Sequence, residues 1–101
     1  MPDSPDPVQL EILRSAFTAA AEEMSVAVRR TARSTTVREM LDYSTAIFHG
    51  DGRNIAQSAL SPMALTLAPC LREVLDHHLP AGDWREGDVV ITNDPYCGSQ
   101  H

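Results

Sequence analysis

The residues with the most chemical potential lie in the run Gly87-Asp-Val-Val-Ile-Thr-Asn-Asp-Pro-Tyr-Cys-Gly-Ser-Gln-His101, where an apolar stretch meets a polar turn and a histidine. Asn93 and Asp94 favour turns through side-chain bonds to the backbone, and Pro95 restricts both itself and the residue before it. Gly98 then supplies a flexible joint before Ser99, Gln100 and His101. Such a loop on the end of a rigid strand is a common place to hold a ligand. Asn93 and Asp94 can serve there by orienting ligating side chains, or simply by forming the turn that proline demands; the balance favours the turn.

Other groups carry weaker signals. Asp42, in Leu-Asp-Tyr-Ser, reads by itself as a turn or cap residue. Arg29, Arg30 and Arg33 could grip a phosphate, although cations near a helix C-terminus more often form a solvated face. His77 and His78 are adjacent and so about 100° apart on a helix, which prevents both from facing one metal without distortion. His49 flanks a turn with no partner evident. Cys70 and Cys97 lack CxxC spacing, which gives no support to a disulfide framework; each suits a small buried filler better than a nucleophile.

The elements that must position these groups follow from periodicity. Leu10, Leu13, Phe17, Ala20, Met24, Ala27 and Val28 recur at three- and four-residue spacing and predict an amphipathic helix from Val8 to about Thr31, started by Asp6-Pro7. Glu11 suits its positive end and the arginines its negative end. Tyr43–Phe48, His49-Gly-Asp-Gly52 and Arg53–Gln57 predict a β-hairpin, since Gly50 and Asp51-Gly52 tolerate the positive φ of tight turns. After Ser61-Pro62, Leu65, Leu67, Leu71, Val74 and Leu75 predict a second helix that ends by Ala81-Gly82-Asp83. Trp84 is expected to pack the loop beyond it. Val89, Val90 and Ile91 predict a further strand, buried on both faces. The fold class expected is α+β, with residues 1–6 a disordered tail and residues 7–101 the incomplete N-terminal portion of a larger multi-layer domain.

Fourteen acidic residues stand against eight arginines and no lysine, for a formal net charge of -6. That balance argues against nucleic acid or an anionic membrane as partner. No stretch approaches the roughly 20 apolar residues of a spanning helix, and the N-terminus lacks the regions of a secretion signal, so a cytoplasmic protein is expected.

The run Gly-Asp-Val-Val-Ile-Thr-Asn-Asp-Pro-Tyr, followed by a small-residue turn and His101, resembles the signature of the hydantoinase B, 5-oxoprolinase and acetone carboxylase alpha-subunit family. Three other stretches are similar in order and spacing. Pro7-Val-Gln-Leu-Glu-Ile-Leu-Arg14, with Ala21-Glu-Glu-Met24 and Arg30-Thr-Ala32, resembles the family's opening helix. Arg38-Glu-Met-Leu-Asp-Tyr-Ser44 with Ala46-Ile-Phe48 resembles its Asp-aromatic-Ser segment, and Gly50-Asp-Gly-Arg53 with Ala56-Gln57 its next hairpin. The likeness covers nearly all of the chain from Pro7. Because family members run to several hundred residues, the chain is expected to be roughly the first fifth of one.

The resemblance implies a divalent metal, zinc or manganese, held by Asp42 and His101 with further ligands later in the chain; carboxylate and imidazole suit such a cation. It implies the B-type subunit of an ATP-dependent cyclic-amide hydrolase. A hydantoinase A-type partner binds ATP and phosphorylates the amide, and metal-activated water attacks the primed carbon. Two alternatives stand beside this: an ATP-dependent acetone or acetophenone carboxylase subunit acting on a ketone, and a truncated or degenerate subunit with an assembly role and no chemistry. One departure favours the last. Where family members often carry His-Ile-Pro-Val-His-Leu-Gly, this chain has Leu60-Ser-Pro-Met-Ala-Leu-Thr66, without either histidine or the glycine. The chain alone is expected to be inactive, and prone to aggregate through uncovered apolar surface.

Overall fold

In a computed structural model, residues 4–59 and 67–97 are described. Helix α1 spans Pro7–Thr31 and starts as expected: the Asp6 carboxylate accepts a 3.0 Å hydrogen bond from the Val8 amide, and Pro7 occupies the first helical position, where no N–H is needed. Asp6 is therefore part of the fold rather than of a loose tail. A single turn of helix, α2 (Thr35–Arg38), leads to the hairpin of β1 (Ala46–Phe48) and β2 (Asn54–Gln57), followed by α3 (Leu67–His77). The architecture is mixed: a long helix, an antiparallel hairpin and a second helix.

The hairpin packs on the middle of α1 through small residues. Ala21 and Ser25, one helical turn apart, are fully buried, and they meet Thr45, Ala56 and Ser58, which are nearly so. Without bulky side chains between them, backbone and hydroxyls come close enough to bond. Thr45 Oγ1 donates to the Ala21 carbonyl at 2.9 Å, and the Tyr43 hydroxyl donates to the Ser25 carbonyl at 2.8 Å with Ser25 Oγ 3.1 Å away. On the far strand Glu22 acts as acceptor, taking the Ala59 amide at 2.8 Å and the Ser58 hydroxyl at 3.2 Å. Both flanks of the hairpin are thus tied to one face of α1.

That face is not the one with the largest apolar side chains. Leu10 and Leu13 remain 54% and 52% exposed, and Phe17 and Met24 are exposed too, while the contact stripe runs through Thr18, Ala21, Glu22, Ser25, Val28 and Ala32. Periodicity found the helix, but of its expected stripe only Ala20 and Val28 are partly covered, because close approach to the hairpin selects small residues over large ones. The large ones are left uncovered among the described residues.

The turn of the hairpin has the expected chemistry. Gly52 donates to the His49 carbonyl at 2.9 Å and His49 to the Arg53 carbonyl at 2.8 Å, with Gly52 at φ 93°. The register slips further along, between Ile47 and Phe48, where Ile55 is the extra residue of β2. His49 has a partner after all: its Nδ1 lies 3.2 Å from the Asp51 amide and 3.1 Å from Asp51 Oδ1. The two contacts need opposite protonation of Nδ1, so the neutral ring accepts the amide and the charged ring pairs with the carboxylate. Arg72 of α3 reaches over to donate to the Asp51 carbonyl.

Beyond α3, the Leu79 carbonyl accepts the Trp84 indole N–H at 2.9 Å, which holds the following loop as expected. The expected buried strand at Val89–Ile91 does not form. Residues 88–94 have no regular secondary structure, and Val89 and Ile91 are 88% and 94% exposed. β-branched residues favour a strand only where a neighbouring strand supplies hydrogen bonds and cover, and among the described residues the sheet ends at β1 and β2.

Thr45→Val and Tyr43→Phe are each expected to lower stability by about 1 kcal/mol, and Ser25→Leu by about 1–3 kcal/mol or more through overpacking, read by urea denaturation. Gly52→Ala should cost about 1–2 kcal/mol because its backbone is left-handed, and its new Cβ would collide with the Arg72 guanidinium; an unchanged midpoint would contradict both. Asp51 adds a pH dependence. The Arg53 backbone amide, then its guanidinium, hold the Asp51 carboxyl below its ordinary value. Its contribution is therefore complete above the ordinary carboxylate pKa and lost as pH falls through the lowered one. An acid titration of the hairpin resonances should show this loss in the parent protein and not in Asp51→Asn.

Candidate functional site

Asp42 sits where α2 gives way to the segment that enters β1. Its amide donates to the Thr36 carbonyl at 3.2 Å, and the Tyr43 amide donates to the Leu41 carbonyl at 3.0 Å. Between them Leu41 adopts φ 56°, a conformation that a bulky side chain takes only when its surroundings impose it. Two residues on, Tyr43 is held by its hydroxyl on α1. Asp42 is exposed at the end of this anchored turn, so its carboxylate is reachable from solvent. His101, the ligand expected beside it, lies outside the described residues.

Asn93 and Asp94 fall in the exposed segment that leads to a 3-10 turn at Pro95–Cys97. Asp94 builds that turn. Its Oδ1 accepts the Tyr96 amide at 2.9 Å, its carbonyl accepts the Cys97 amide at 3.1 Å, and its own amide donates to Thr92 Oγ1 at 3.2 Å. Asn93 lines a shallow cleft with Ile91 and Thr92. Asp94 therefore has a structural task whether or not it also orients a ligand.

Cys97 is buried under this turn against α3. Its thiol lies 3.6 Å from Asp94 Oδ2 and 3.9 Å from His78 Nε2, beside a cavity of about 210 Å³ that Val74 and Val90 also line. Burial first, and the Asp94 charge second, push the Cys97 thiol above its ordinary pKa. A cysteine, a histidine and a carboxylate thus come together with the wrong electrostatics for nucleophilic work, because the thiolate is the reactive form and both influences oppose it. His77 turns away to Glu73, 3.8 Å distant, so the two adjacent histidines serve different neighbours.

Among the described residues no group of three or more His, Cys, Asp or Glu side chains is arranged to hold a metal ion. Asp42 fits such a centre as one accessible oxygen donor.

Sequence reasoning missed three contributors. Glu22 fixes the chain where it leaves β2 toward Leu60–Thr66, a segment outside the described residues, so the altered stretch there has no structural account. Ser25, a polar residue in a helix interior, was the available signal for a buried hydroxyl contact. Arg38 joins Arg29, Arg30, Val26, Glu39 and Tyr43 around an open cleft of about 540 Å³, whereas Arg33, expected in that triplet, does not line it.

Comparison with known proteins agrees with the resemblance. The profile of the hydantoinase B/oxoprolinase family matches residues 6–101. The chain is 37% identical to 5-oxoprolinase 1 of Arabidopsis thaliana over 97 residues, which cover 95% of this chain and 8% of that protein. It is 31% identical to the 5-oxoprolinase of Dictyostelium discoideum over 98 residues, 95% of this chain and 8% of that one. With the caprolactamase subunit beta of Pseudomonas jessenii it shares 34% identity over 96 residues, 93% of this chain and 16% of that subunit. The chain therefore spans a small part of the length of each of these relatives. No solved structure matches it significantly. With the match running from the capped start of α1 through the Asp42 turn and the Asn93–Cys97 turn, the chain belongs to the hydantoinase B/oxoprolinase family.

Proposed function

We propose that the protein acts as a B-type subunit of an ATP-dependent cyclic-amide hydrolase of the hydantoinase or 5-oxoprolinase kind. The family match carries this reading, and the three relatives above bear the names of enzymes that act on cyclic amides. The name of the caprolactamase relative as a subunit supports a partner, for which an ATP-binding A-type subunit is the proposal. That partner phosphorylates the amide oxygen, which turns a poor electrophile into one with a good leaving group. Water then attacks the primed carbon.

The part assigned to this chain is modest. Asp42 contributes one carboxylate, and His101 one imidazole, to a centre for zinc or manganese that further ligands complete. A divalent cation there would supply Lewis acidity and bring the pKa of water toward about 7. Asp42 is suited to the task by its exposure and by its turn, which is fixed on α1 through Tyr43 and Thr45. Asp94 would shape the loop that leads to His101. No helix of the described residues is long and apolar enough to cross a membrane, which is compatible with the cytoplasmic placement we propose.

A second reading, an assembly piece without chemistry, draws on the exposed apolar side chains of α1 and on the missing histidines of Leu60–Thr66. Metal analysis and turnover separate the two. With ATP and the A-type partner, hydrolysis of 5-oxoproline, hydantoin or caprolactam is expected, and Asp42→Ala should reduce bound metal and rate by at least about tenfold, the loss seen even for groups that only support a ligand. Unchanged metal content in both Asp42→Ala and His101→Ala would remove these residues from the centre. Absence of turnover on every cyclic amide, with the partner fully associated, would favour assembly alone.

A further inference from the structure

We propose that the cleft between the end of α1 and α2 is a binding site for a small phosphate-bearing molecule, independent of the metal centre. Three guanidinium groups line it: Arg29 and Arg30 from the last turn of α1, and Arg38 from α2. Arg29 and Arg30 close α1 and Arg38 closes the single turn α2, so two separate elements bring their terminal cations to the same cleft.

The charges there are uncompensated. Among the described residues, neither Arg29, Arg30 nor Arg38 has a carboxylate within 4.0 Å, whereas Arg14, Arg53 and Arg72 all do. Glu39 is the one acidic residue on the cleft wall, which leaves an excess of two positive charges in a chain whose net charge is -6. All three are exposed, and an anion bound between them would offset the repulsion of like charges brought together from two elements.

The number and kind of cations identify the anion class. A single carboxylate is satisfied by one bidentate guanidinium, while a phosphate group offers three oxygens and up to two charges to several. The volume, about 540 Å³, exceeds what an inorganic ion fills, so room remains for an organic portion. Val26 and the ring of Tyr43 supply the apolar wall, since the Tyr43 hydroxyl is already engaged with Ser25. Tyr43 also connects this cleft to the Asp42 turn, so an occupant of the cleft would stiffen the segment that carries that carboxylate.

The test is a titration of the protein with inorganic pyrophosphate, and in parallel with citrate, followed by the Nε–H signals of its arginines in two-dimensional NMR. Saturable shifts at Arg29, Arg30 and Arg38 are expected for pyrophosphate, with Arg85, an exposed arginine in the loop beyond α3, unmoved, and binding of citrate should be several-fold weaker. Arg38→Gln should weaken pyrophosphate binding about tenfold or more, with partial recovery in Arg38→Lys, and Arg85→Gln should leave it unchanged. If Arg38→Gln fails to fold, the paired Arg29→Gln and Arg30→Gln changes serve in its place, and the parent titration stands without any variant. Absence of saturation, equal binding of citrate, or equal weakening by Arg85→Gln would overturn the proposal.

Discussion

The structure depends on a set of hydroxyl and carboxylate contacts between the hairpin and one face of α1. Thr45 and Tyr43 donate to main-chain carbonyls one helical turn apart, and Glu22 receives the chain where it leaves the second strand. Carbonyls within a helix keep a second lone pair, so they can accept such bonds without giving up the helical ladder. The contacts form because Ala21, Ser25 and Ala56 are small enough for the two backbones to approach. A larger residue at any of these positions would separate the partners and leave buried polar groups unpaired, which is costlier than the loss of one bond.

This constraint also explains how a small, sparsely packed unit could serve chemistry. The Asp42 turn includes a leucine in a left-handed conformation, and two residues on Tyr43 is held on α1. The same tyrosine borders the arginine cleft. One side chain therefore links the anchoring of the hairpin, the placement of the candidate metal-binding carboxylate and the wall of the proposed phosphate site. By contrast the segment with Asn93 and Asp94 is ordered locally, by an Asx turn and by Cys97 under it, rather than by a sheet.

Much of this was legible in the sequence, though unevenly. The cap Asp6-Pro7 and the glycine of Asp51-Gly52 are local signals whose energetics do not depend on distant residues, and α1 and the hairpin turn appear where they indicate. The contact face of α1 was misread in part, because hydrophobic periodicity weighs Leu10, Leu13 and Phe17 above Ala21 and Ser25. What decided the face was close approach, a tertiary property. The Val89–Ile91 stretch failed as a strand for a related reason: its composition reports an affinity for cover, and the described residues supply it only in part, to Val90. Asp42 was singled out through family resemblance, since a carboxylate in Leu-Asp-Tyr-Ser has no local signature of its own. The convergence of Arg38 with Arg29 and Arg30 depends on the fold and could not be read from spacing.

Residue-resolved native-state hydrogen exchange measures the central claim most directly, because it reports which amides open together. If the hairpin and the middle of α1 form one unit through the Thr45, Tyr43 and Glu22 contacts, the amides of Ser25–Val28 and those of Ile47, Ala56 and Ser58 will share one opening free energy, while residues 88–94 exchange quickly. Separate opening free energies for helix and hairpin, with the hairpin amides exchanging near the unprotected rate, would contradict it.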